Sequence, residues 1–568
     1  MDTIVEGLVN TKAVSLCEHS KGEFISPVFL VPKSDGSRRF ILNLKQLNEC
    51  IINSHFKMED LRTARKLISR NASMATVDLK DAYFHVPIHD ESKKLLRFLW
   101  NDQLYEFNCL PFGLCTAPRI FTKILKPVFN RLRSLGYVSV VYLDDILLIG
   151  YSRSECQNNV NFTVSFLQSL GFTINFDKSV LIPTYKLQYL GFILDSQDYT
   201  VRLTNKKIEK IVHMSNFILS VKTCKILDFA KLIGLFISAC PAVPYGFLYT
   251  KILESHKFLA LQRSKGSYRA YIVITDDIKN DIIWWLGSVK HSHAPIYENN
   301  YDFVIFTDAS KIGWGASSTK SSTNGWWNAE EQKCSINYLE LLAIYNSLLS
   351  IARDFRNCRI LLRVDNTTAI SYINRMGSVQ FQDLNLLARK IWQWCEKRNI
   401  YLFASYIKSK DNVHADFESR RLHDNSEWEL NGEIFNSIIA SLSYEVSTDL
   451  FASYQNHKCE SYFSWRPDPQ SSGIDAFTFS WSNLRFYAFP PFSMILQTLR
   501  KIESDNATGI VVAPFWPTQP WFPFFRKLCD NNFIIIEPSK DLLTFCNRPH
   551  PLWKTISLVA GLLSRKHC

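Results

Sequence analysis

Two adjacent aspartates, Asp144 and Asp145, split a run that is otherwise almost wholly apolar, VSVVYLDDILLIG over 138–150. Ionised carboxylates side by side inside a buried strand carry a desolvation penalty of several kcal/mol each. The pair therefore belongs at the tip of a hairpin, with Val138–Leu143 and Ile146–Ile149 as its arms. Like charges at such a tip repel unless a cation neutralises them. Magnesium prefers oxygen ligands of this type and leaves positions open for substrate phosphates. A third acid, Asp78, ends a short strand over Ala75–Asp78 in MATVDLKDAYFHVPI. Three carboxylates on strand ends suit an in-line displacement at phosphorus, in which a primer 3′-hydroxyl attacks and pyrophosphate leaves. Alone, Y-x-D-D reads equally well as a polar hairpin turn.

The rest of the composition narrows the class of protein. At roughly 150 residues per domain, 568 residues make about three to four domains. With 46% hydrophobic and 21% charged residues, the chain is globular, neither a disordered tail nor a collagen-like fibre. The net charge of +12 is unevenly placed: residues 1–290 hold 37 basic and 26 acidic residues, a surplus of 11. A polyanionic partner for the first half is the reading this supports. The 14 cysteines form no C-x-x-C pair, which fits a reducing compartment. No signal peptide opens the chain, and the apolar stretch Ile226–Tyr249 is broken by Asp228, Lys231 and two prolines, so no membrane span is expected. An intracellular protein of the cytoplasm, the nucleus or both is expected. A G-x-x-x-x-G-K-[ST] loop, H-E-x-x-H, D-[ST]-G and an H-H-C-C element are all absent, which disfavours a helicase, a metalloprotease, an aspartic protease and a retroviral-type integrase.

Around the acidic hairpin lie ordered blocks: VPKSDGSRRFILNLKQLN, VDLKDAYFHVPI, LPFGLCTAP, YLDD, LGFTINFDKS and QYLGFIL. The first reads as a hairpin of Val28–Val31 and Phe40–Leu42 about the turn Ser34-Asp35-Gly36. In this order, over about Gly22 to Asp195, the blocks closely resemble those of retroelement reverse transcriptases. The resemblance implies fingers and palm over 1–200 and a helical thumb and connection over 201–292. It implies that Asp78, Asp144 and Asp145 hold two metal ions, with the Leu79 carbonyl contributing an oxygen. Lys33 and Arg39 match residues that grip the incoming triphosphate, and Asp81 lies near it. Tyr83 matches the steric gate against a 2′-hydroxyl; its plain alternative is a core tyrosine. Phe112 stands where retroviral enzymes carry Gln, a variant of long-terminal-repeat retrotransposons, and Gly113 leaves room for close approach. Lys178 matches a general acid for the departing pyrophosphate, with a solvated loop lysine as the alternative. Leu190 and Gly191 match the primer grip. Helical patterning dominates Asn205–Ser288, whose lysines would track a duplex backbone without reading sequence. Lys290–Asn300 reads as a linker.

A second acidic set follows. FVIFTDASKIGWGA reads as a strand ending at Asp308, a turn and a second strand. In SINYLELLAIYNSLLSIA the apolar Leu341, Ile344, Leu348 and Ile351 recur at helical spacing, with Glu340 in the first turns. CRILLRVDNTTAI ends a strand at Asp365, and KDNVHADFESR puts Asp416 on a helix. Acids in the order D, E, D, D suit phosphodiester hydrolysis with metal ions. This block, over 301–421, resembles the ribonuclease H domain that follows reverse transcriptases. Many relatives carry a His in the loop before the last Asp; here Tyr406 takes that slot and His414 lies outside it, so slower product release is expected. The resemblances imply two Mg2+ per active site, with Mn2+ as the alternative ion.

The last third is rich in aromatic residues, with TDLFASYQNHK, SWRPDP, AFPPF and APFWPTQPW. Together with the two preceding blocks these segments resemble the polyprotein of DIRS-like, tyrosine-recombinase retrotransposons. Position by position, AFPPF matches the N-P-P-F/Y/W element of adenine-N6 methyltransferases, and DLFAS matches the start of their cofactor strand. Phe489 replaces the Asn that would hold the target amino group, so no methyl transfer is expected. Residues 445–545 are read as an aromatic packing or nucleic-acid docking module, a reading that S-adenosylmethionine binding would overturn. The expected fold is α+β and multidomain: a polymerase right hand, a ribonuclease H-like α/β domain and a C-terminal aromatic-rich α/β domain. Expected partners are an RNA template, a DNA primer, RNA–DNA hybrid, deoxynucleoside triphosphates and an element-encoded tyrosine recombinase. The competing readings are a catalytically silent, domesticated nucleic-acid-binding protein and a reverse transcriptase of the intron or non-long-terminal-repeat type. The adjoining ribonuclease H block argues against the last. The first fingers block lies close to residue 1, which leaves open that the chain is one part of a longer polyprotein or a shortened gene.

Overall fold

In the computed structural model the acidic run folds as a hairpin, two paired strands that meet at the aspartates. The structure describes residues 1–568 except 33–37, 53, 298–299, 421–427, 546–547 and 566–568. These pack as two units, one of 1–246 with 267–299 and one of 247–266 with 300–568. The segment 201–292, expected as a helical thumb and connection, contributes residues to both.

In the first unit β1 (Val28–Pro32) pairs antiparallel with β2 (Arg38–Leu42), as the hairpin reading expects. Its turn lies outside the described residues, and so does Lys33. The central sheet contains β3 (Ser73–Asp78), β4 (Val138–Tyr142), β5 (Asp145–Gly150) and β6 (Val180–Thr184), all antiparallel in the order β4-β5-β3-β6. Helices α1 (Ala117–Ser134) and α2 (Arg153–Ser169) cover it. On α1 the residues Phe121, Leu125, Phe129 and Leu132 fall at spacings of 4, 4 and 3 and are at most 2% exposed. Each such side chain contributes roughly 1.5–3 kcal/mol by leaving water. On α2 the buried Asn159 donates from Nδ2 to the carbonyls of Val138 (2.9 Å) and Ile149 (3.2 Å), tying the helix to both arms of the hairpin.

A second sheet follows, with β7 (Lys186–Tyr189), β8 (Phe192–Asp195), β9 (Thr200–Leu203) and β10 (His293–Pro295) in sequence order. Here the linker reading of Lys290–Asn300 is corrected. His293–Pro295 is an edge strand on β9, and the proline is tolerated because an edge strand needs only half its hydrogen bonds. Helices Asn205–Leu219, Ile226–Ala239 and Asp276–Ser288 also belong to this unit, with Phe236 and Trp285 stacked at 4.4 Å. A small ribbon, Thr223–Lys225 against Tyr271–Val273, interrupts the helical run.

The second unit holds the helix Lys251–Arg263 and a five-stranded sheet of β11 (Phe303–Ala309), β12 (Gly313–Ser318), β13 (Ser322–Trp326), β14 (Cys358–Val364) and β15 (Ile400–Tyr406). The order is β13-β12-β11-β14-β15; the first three are antiparallel, while β14 is parallel to β11 and β15 to β14. Helices α3 (Ile336–Ile351) and α4 (Val413–Arg420) pack against β11 and β12.

The same unit ends in a seven-stranded sheet. Its strands are β16 (Thr448–Asp449), β17 (Ser461–Ser464), β18 (Gly473–Ile474), β19 (Arg485–Ala488), β20 (Thr508–Pro514), β21 (Phe533–Ile536) and β22 (Leu558–Ser564). Their order is β18-β17-β16-β19-β20-β22-β21. The first five are parallel, and β22 runs antiparallel between β20 and β21. Helices α5 (Ile495–Ser504) and α6 (Phe522–Leu528) follow β19 and β20. The whole is mixed α and β in several domains, as the sequence leads one to expect.

Candidate active sites

The first site is built by the register of three strands. Asp145, the first residue of β5, pairs with Tyr142 on one side and with Asp78, the last residue of β3, on the other. Asp144 lies in the two-residue turn between β4 and β5. Its carbonyl accepts the Leu79 N–H at 3.0 Å, which draws the end of β3 under the turn. Leu143, the first turn residue, has φ +55°, a conformation costing a bulky residue roughly 1–2 kcal/mol. The paired strands on either side of the turn hold it there.

The three acids share one electrostatic environment. Burial, then Asp144 and Asp78, push the Asp145 carboxyl up to about 6, while Lys178 pulls the other way. Such a site is short of positive charge, and a divalent cation fits it. Asn175 donates from Nδ2 to Asp78 at 2.9 Å, and the Ser179 hydroxyl accepts the Asp78 N–H at 3.0 Å. Neither partner was singled out in the sequence, although both lie in the block that contains Lys178. Lys178 itself is exposed in a turn.

Nearby, Asp81 takes the left-handed conformation (φ +51°) at the start of a short 3-10 turn that carries Tyr83. The Tyr83 ring packs on Phe112 at 5.0 Å and Phe121 at 5.6 Å, and burial with the Asp144 charge pushes its hydroxyl up to about 12. Phe112 and Gly113 lie in the loop before α1. Asn48 clamps this loop, donating to the Gly113 carbonyl and accepting the Cys115 N–H, each at 2.9 Å. Gly113 has φ +110°, and a Cβ there would meet the Leu42 carbonyl oxygen at 2.6 Å. Gly113→Ala should therefore cost about 1–3 kcal/mol, read as a lower thermal midpoint together with weakened primer extension. Arg39 lies on β2 opposite Val31. Leu190 (φ +47°) and Gly191 (φ +77°) form the two-residue turn between β7 and β8, where a type I′ geometry needs positive φ at both positions.

The second site follows from parallel pairing. Phe306 of β11 faces Arg363 of β14, so Asp308 and Asp365, each two residues on, emerge together at the same sheet edge. Glu340 reaches them from α3. Carboxylate oxygens of Asp308, Glu340 and Asp365 lie within 4.8 Å of one another; among the described residues they are the acids that gather in this way. Asp416 on α4 acts on Asp308 electrostatically, but its carboxylate pairs with Arg420 at 2.6 Å. The approach of α4 depends on Gly315, where a Cβ would meet the Ala415 carbonyl and the Ser419 amide at 2.4 Å.

Two hydroxyls escaped the sequence reading: Ser419 donates to Asp308 at 2.5 Å and Ser409 to Asp365 at 2.6 Å. Burial and two neighbouring acids raise Asp308 despite the Ser419 bond's opposing effect. Burial, Asp308 and Asp365 push Glu340 up to about 9, and its Oε2 is buried without a hydrogen-bond partner. An orphaned carboxylate oxygen among two more acids fits a divalent cation. Tyr406 ends β15 and is 54% exposed, and His414 is exposed on α4.

Glu340 gives a stability prediction with a definite sign. A carboxyl raised from 4.5 to about 9 binds its proton more tightly folded than unfolded, so stability falls as pH rises through that window. Glu340→Gln removes the penalty. In chelator, the variant should exceed wild type by roughly 1–3 kcal/mol near pH 8 and match it near pH 4. Magnesium should raise the melting midpoint of wild type more than that of the variant. Equal melting curves at both pH values would refute this.

Known proteins bear on the first site. Residues 31–194, which include Asp78, Asp144 and Asp145, match the family described as Reverse transcriptase (RNA-dependent DNA polymerase). The chain is similar to the enzymatic polyprotein of cauliflower mosaic virus (strain CM-1841), 25% identical over 448 residues, covering 74% of this chain and 61% of that one. With that of figwort mosaic virus (strain DxS) the identity is 24% over 425 residues, 71% of this chain and 59% of the relative. The chain thus spans about three fifths of the length of these relatives. Among solved structures it is similar to the foamy viral protease-reverse transcriptase in complex with RNA/DNA hybrid, at TM-score 0.47 and 17% identity, covering 76% of this chain and 56% of that one. Residues 31–194 thus match the reverse transcriptase family, within a chain similar to viral enzymatic polyproteins.

Proposed function

We propose that this chain copies RNA into DNA and degrades the copied RNA, as the reverse transcriptase and ribonuclease H of a DIRS-like retrotransposon. The observation that carries the reading is the pairing of Asp78 with Asp145, with Asp144 in the adjoining turn, inside the matched domain. On this reading 1–200 are fingers and palm, 201–292 thumb and connection, 301–421 the ribonuclease H domain and 445–545 a C-terminal domain.

Asp78, Asp144 and Asp145 would hold divalent ions at the polymerase site, and Asp308, Glu340, Asp365 and Asp416 at the nuclease site. Bound there, the ions would activate the attacking oxygen and stabilise the leaving one. The chain's own groups do the rest. Lys33 and Arg39 grip the triphosphate, and Asp81 lies near that triphosphate. The Tyr83 ring, backed by Phe112 and Phe121, excludes a 2′-hydroxyl. Gly113 admits the template and nucleotide. Lys178 delivers a proton to the departing pyrophosphate, and Leu190-Gly191 positions the primer end. In the nuclease site Ser409 and Ser419 orient the carboxylates they bond, and Tyr406 in the histidine slot slows product release.

The partners are RNA template, DNA primer, hybrid and deoxynucleoside triphosphates. Among the described residues no helix is long and apolar enough to cross a membrane. The test is extension of a DNA primer on an RNA template with magnesium. Protein that binds hybrid and never extends it would favour the silent-binder reading. A tyrosine recombinase frame beside the gene would establish the element class; its absence would leave a different type of retroelement.

A further inference from the structure

The five-stranded sheet that carries Asp308 and Asp365 has one face that the proposed chemistry does not use. Strands β14 and β15 are parallel neighbours, and parallel strands are ordinarily buried on both faces. Here only one face is. Ile360, Leu362, Val364, Leu402 and Ala404 are at most 1% exposed, and helices Thr367–Asn374 and Gln382–Glu396 pack against β15. The alternate residues point the other way. Arg359, Leu361 and Arg363 are only half-buried, while Tyr401 and Phe403 are 40% and 42% exposed.

The chemistry of this open face is continuous. Register sets Arg359 opposite Tyr401, Leu361 opposite Phe403 and Arg363 opposite Ser405. Tyr301, just ahead of β11, stacks on Phe403 with ring centroids 6.1 Å apart and planes 23° off parallel. The Arg359 guanidinium lies over the Tyr301 ring at 5.3 Å and over the Tyr401 ring at 5.7 Å, joining the three rings into one strip. At the other end Arg363 donates to the Ser405 hydroxyl at 2.9 Å and, among the described residues, enters no ion pair. Arg363 stands about 7 Å along the strand from Asp365, a member of the acidic set. Rings interleaved with guanidiniums suit single-stranded nucleic acid, whose bases stack on the rings while its phosphates meet the cations. A duplex keeps its base faces stacked on one another and has none to offer the rings. The centre of a protein interface is depleted of charge, and this face is not. The Ser405 hydroxyl accepts from Arg363 and keeps its own hydrogen, a donor for a ribose 2′-hydroxyl.

We propose that the open face of β14 and β15 holds single-stranded RNA, the strand that leaves the acidic edge beside it. Tyr301, Tyr401 and Phe403 stack on its bases, Arg359 and Arg363 meet its phosphates, and Ser405 reaches a 2′-hydroxyl. The choice of RNA over DNA rests on the nuclease reading as well as on Ser405; the surface itself requires no cleavage.

The test uses the full chain and a short labelled single-stranded RNA, read by fluorescence anisotropy and by photo-crosslinking. Chelator prevents cutting, and unlabelled hybrid in excess occupies the polymerase and nuclease sites. The RNA should bind and crosslink within 400–406. Tyr401→Ala combined with Phe403→Ala should weaken binding about tenfold or more, since each ring stacks a base, with the melting midpoint retained. Tyr401→Phe keeps the ring and should bind as wild type does. Arg363→Gln should weaken binding and flatten its salt dependence. DNA of the same sequence should bind about threefold more weakly or worse. Should the double variant unfold, the crosslink map and Arg363→Gln decide. Crosslinks confined to other segments would overturn the proposal, as would unchanged affinity in a folded double variant. DNA binding as tightly as RNA would overturn it too. RNA held on this face by a chain that never cuts hybrid would support the surface and overturn the nuclease reading alone.

Discussion

Asp144→Asn should lower primer extension by about three orders of magnitude or more, since it removes one carboxylate from a site that depends on charge. Asn matches Asp in shape, and the main-chain bond from Leu79 N–H to residue 144 survives, so the hairpin should fold. Only the charge changes. Asp145 would then lose the second-largest influence holding its carboxyl at about 6 and would ionise more readily. The variant should thus shift its residual activity to lower pH as well as weaken it. Affinity for hybrid should be nearly unchanged, because the basic surplus of the first half is untouched. A loss under tenfold in the presence of magnesium would remove Asp144 from the catalytic set.

Asp365→Asn should abolish cleavage of the RNA strand in a hybrid while leaving polymerisation intact. Asp365 supplies one of three carboxylates within 4.8 Å, and its Oδ2 accepts from Ser409. An amide there breaks the acidic set with a change of about one atom's chemistry, and a loss of about 10² to 10⁴ is expected for such a group. Polymerisation should persist because Asp365 and Asp144 belong to different compact units. Gel analysis of a labelled hybrid, with extension measured on the same preparation, separates the two activities. Undiminished cleavage would sink the nuclease assignment, and a parallel loss of extension would mean that the substitution unfolds the chain.

Much of this was legible because desolvation leaves few options. Two carboxylates within an apolar run force a turn, so the Asp144-Asp145 hairpin could be read without any relative. Asp308 and Asp365 could be read for the same reason, each at the end of an apolar strand. Helical spacing likewise exposed the face of α3 that carries Glu340.

What escaped depends on contacts distant in sequence. Asn175 on Asp78, Asn48 on the Gly113 loop and Ser419 on Asp308 join residues 97, 65 and 111 positions apart, and no local pattern marks them. The edge strand His293–Pro295 was hidden by its proline and by its three-residue length. In the C-terminal sheet, β16 and β18 are two residues each, too short for alternation to show. Composition revealed the aromatic residues there but not the strand order that arranges them.

The position of β22 bears on how this sheet is made. Residues 558–564 are synthesised after β21 yet lie between β20 and β21, paired with both. Until they emerge from the ribosome, β20 has one flank unpaired, and its run TGIVVAP is an apolar edge of the sort that recruits other chains. The nascent chain must therefore leave that flank of its sheet open from the end of β20 at Pro514 until β22 begins at Leu558. Chaperone demand, and the yield of soluble protein, should be governed by how quickly that single late strand arrives.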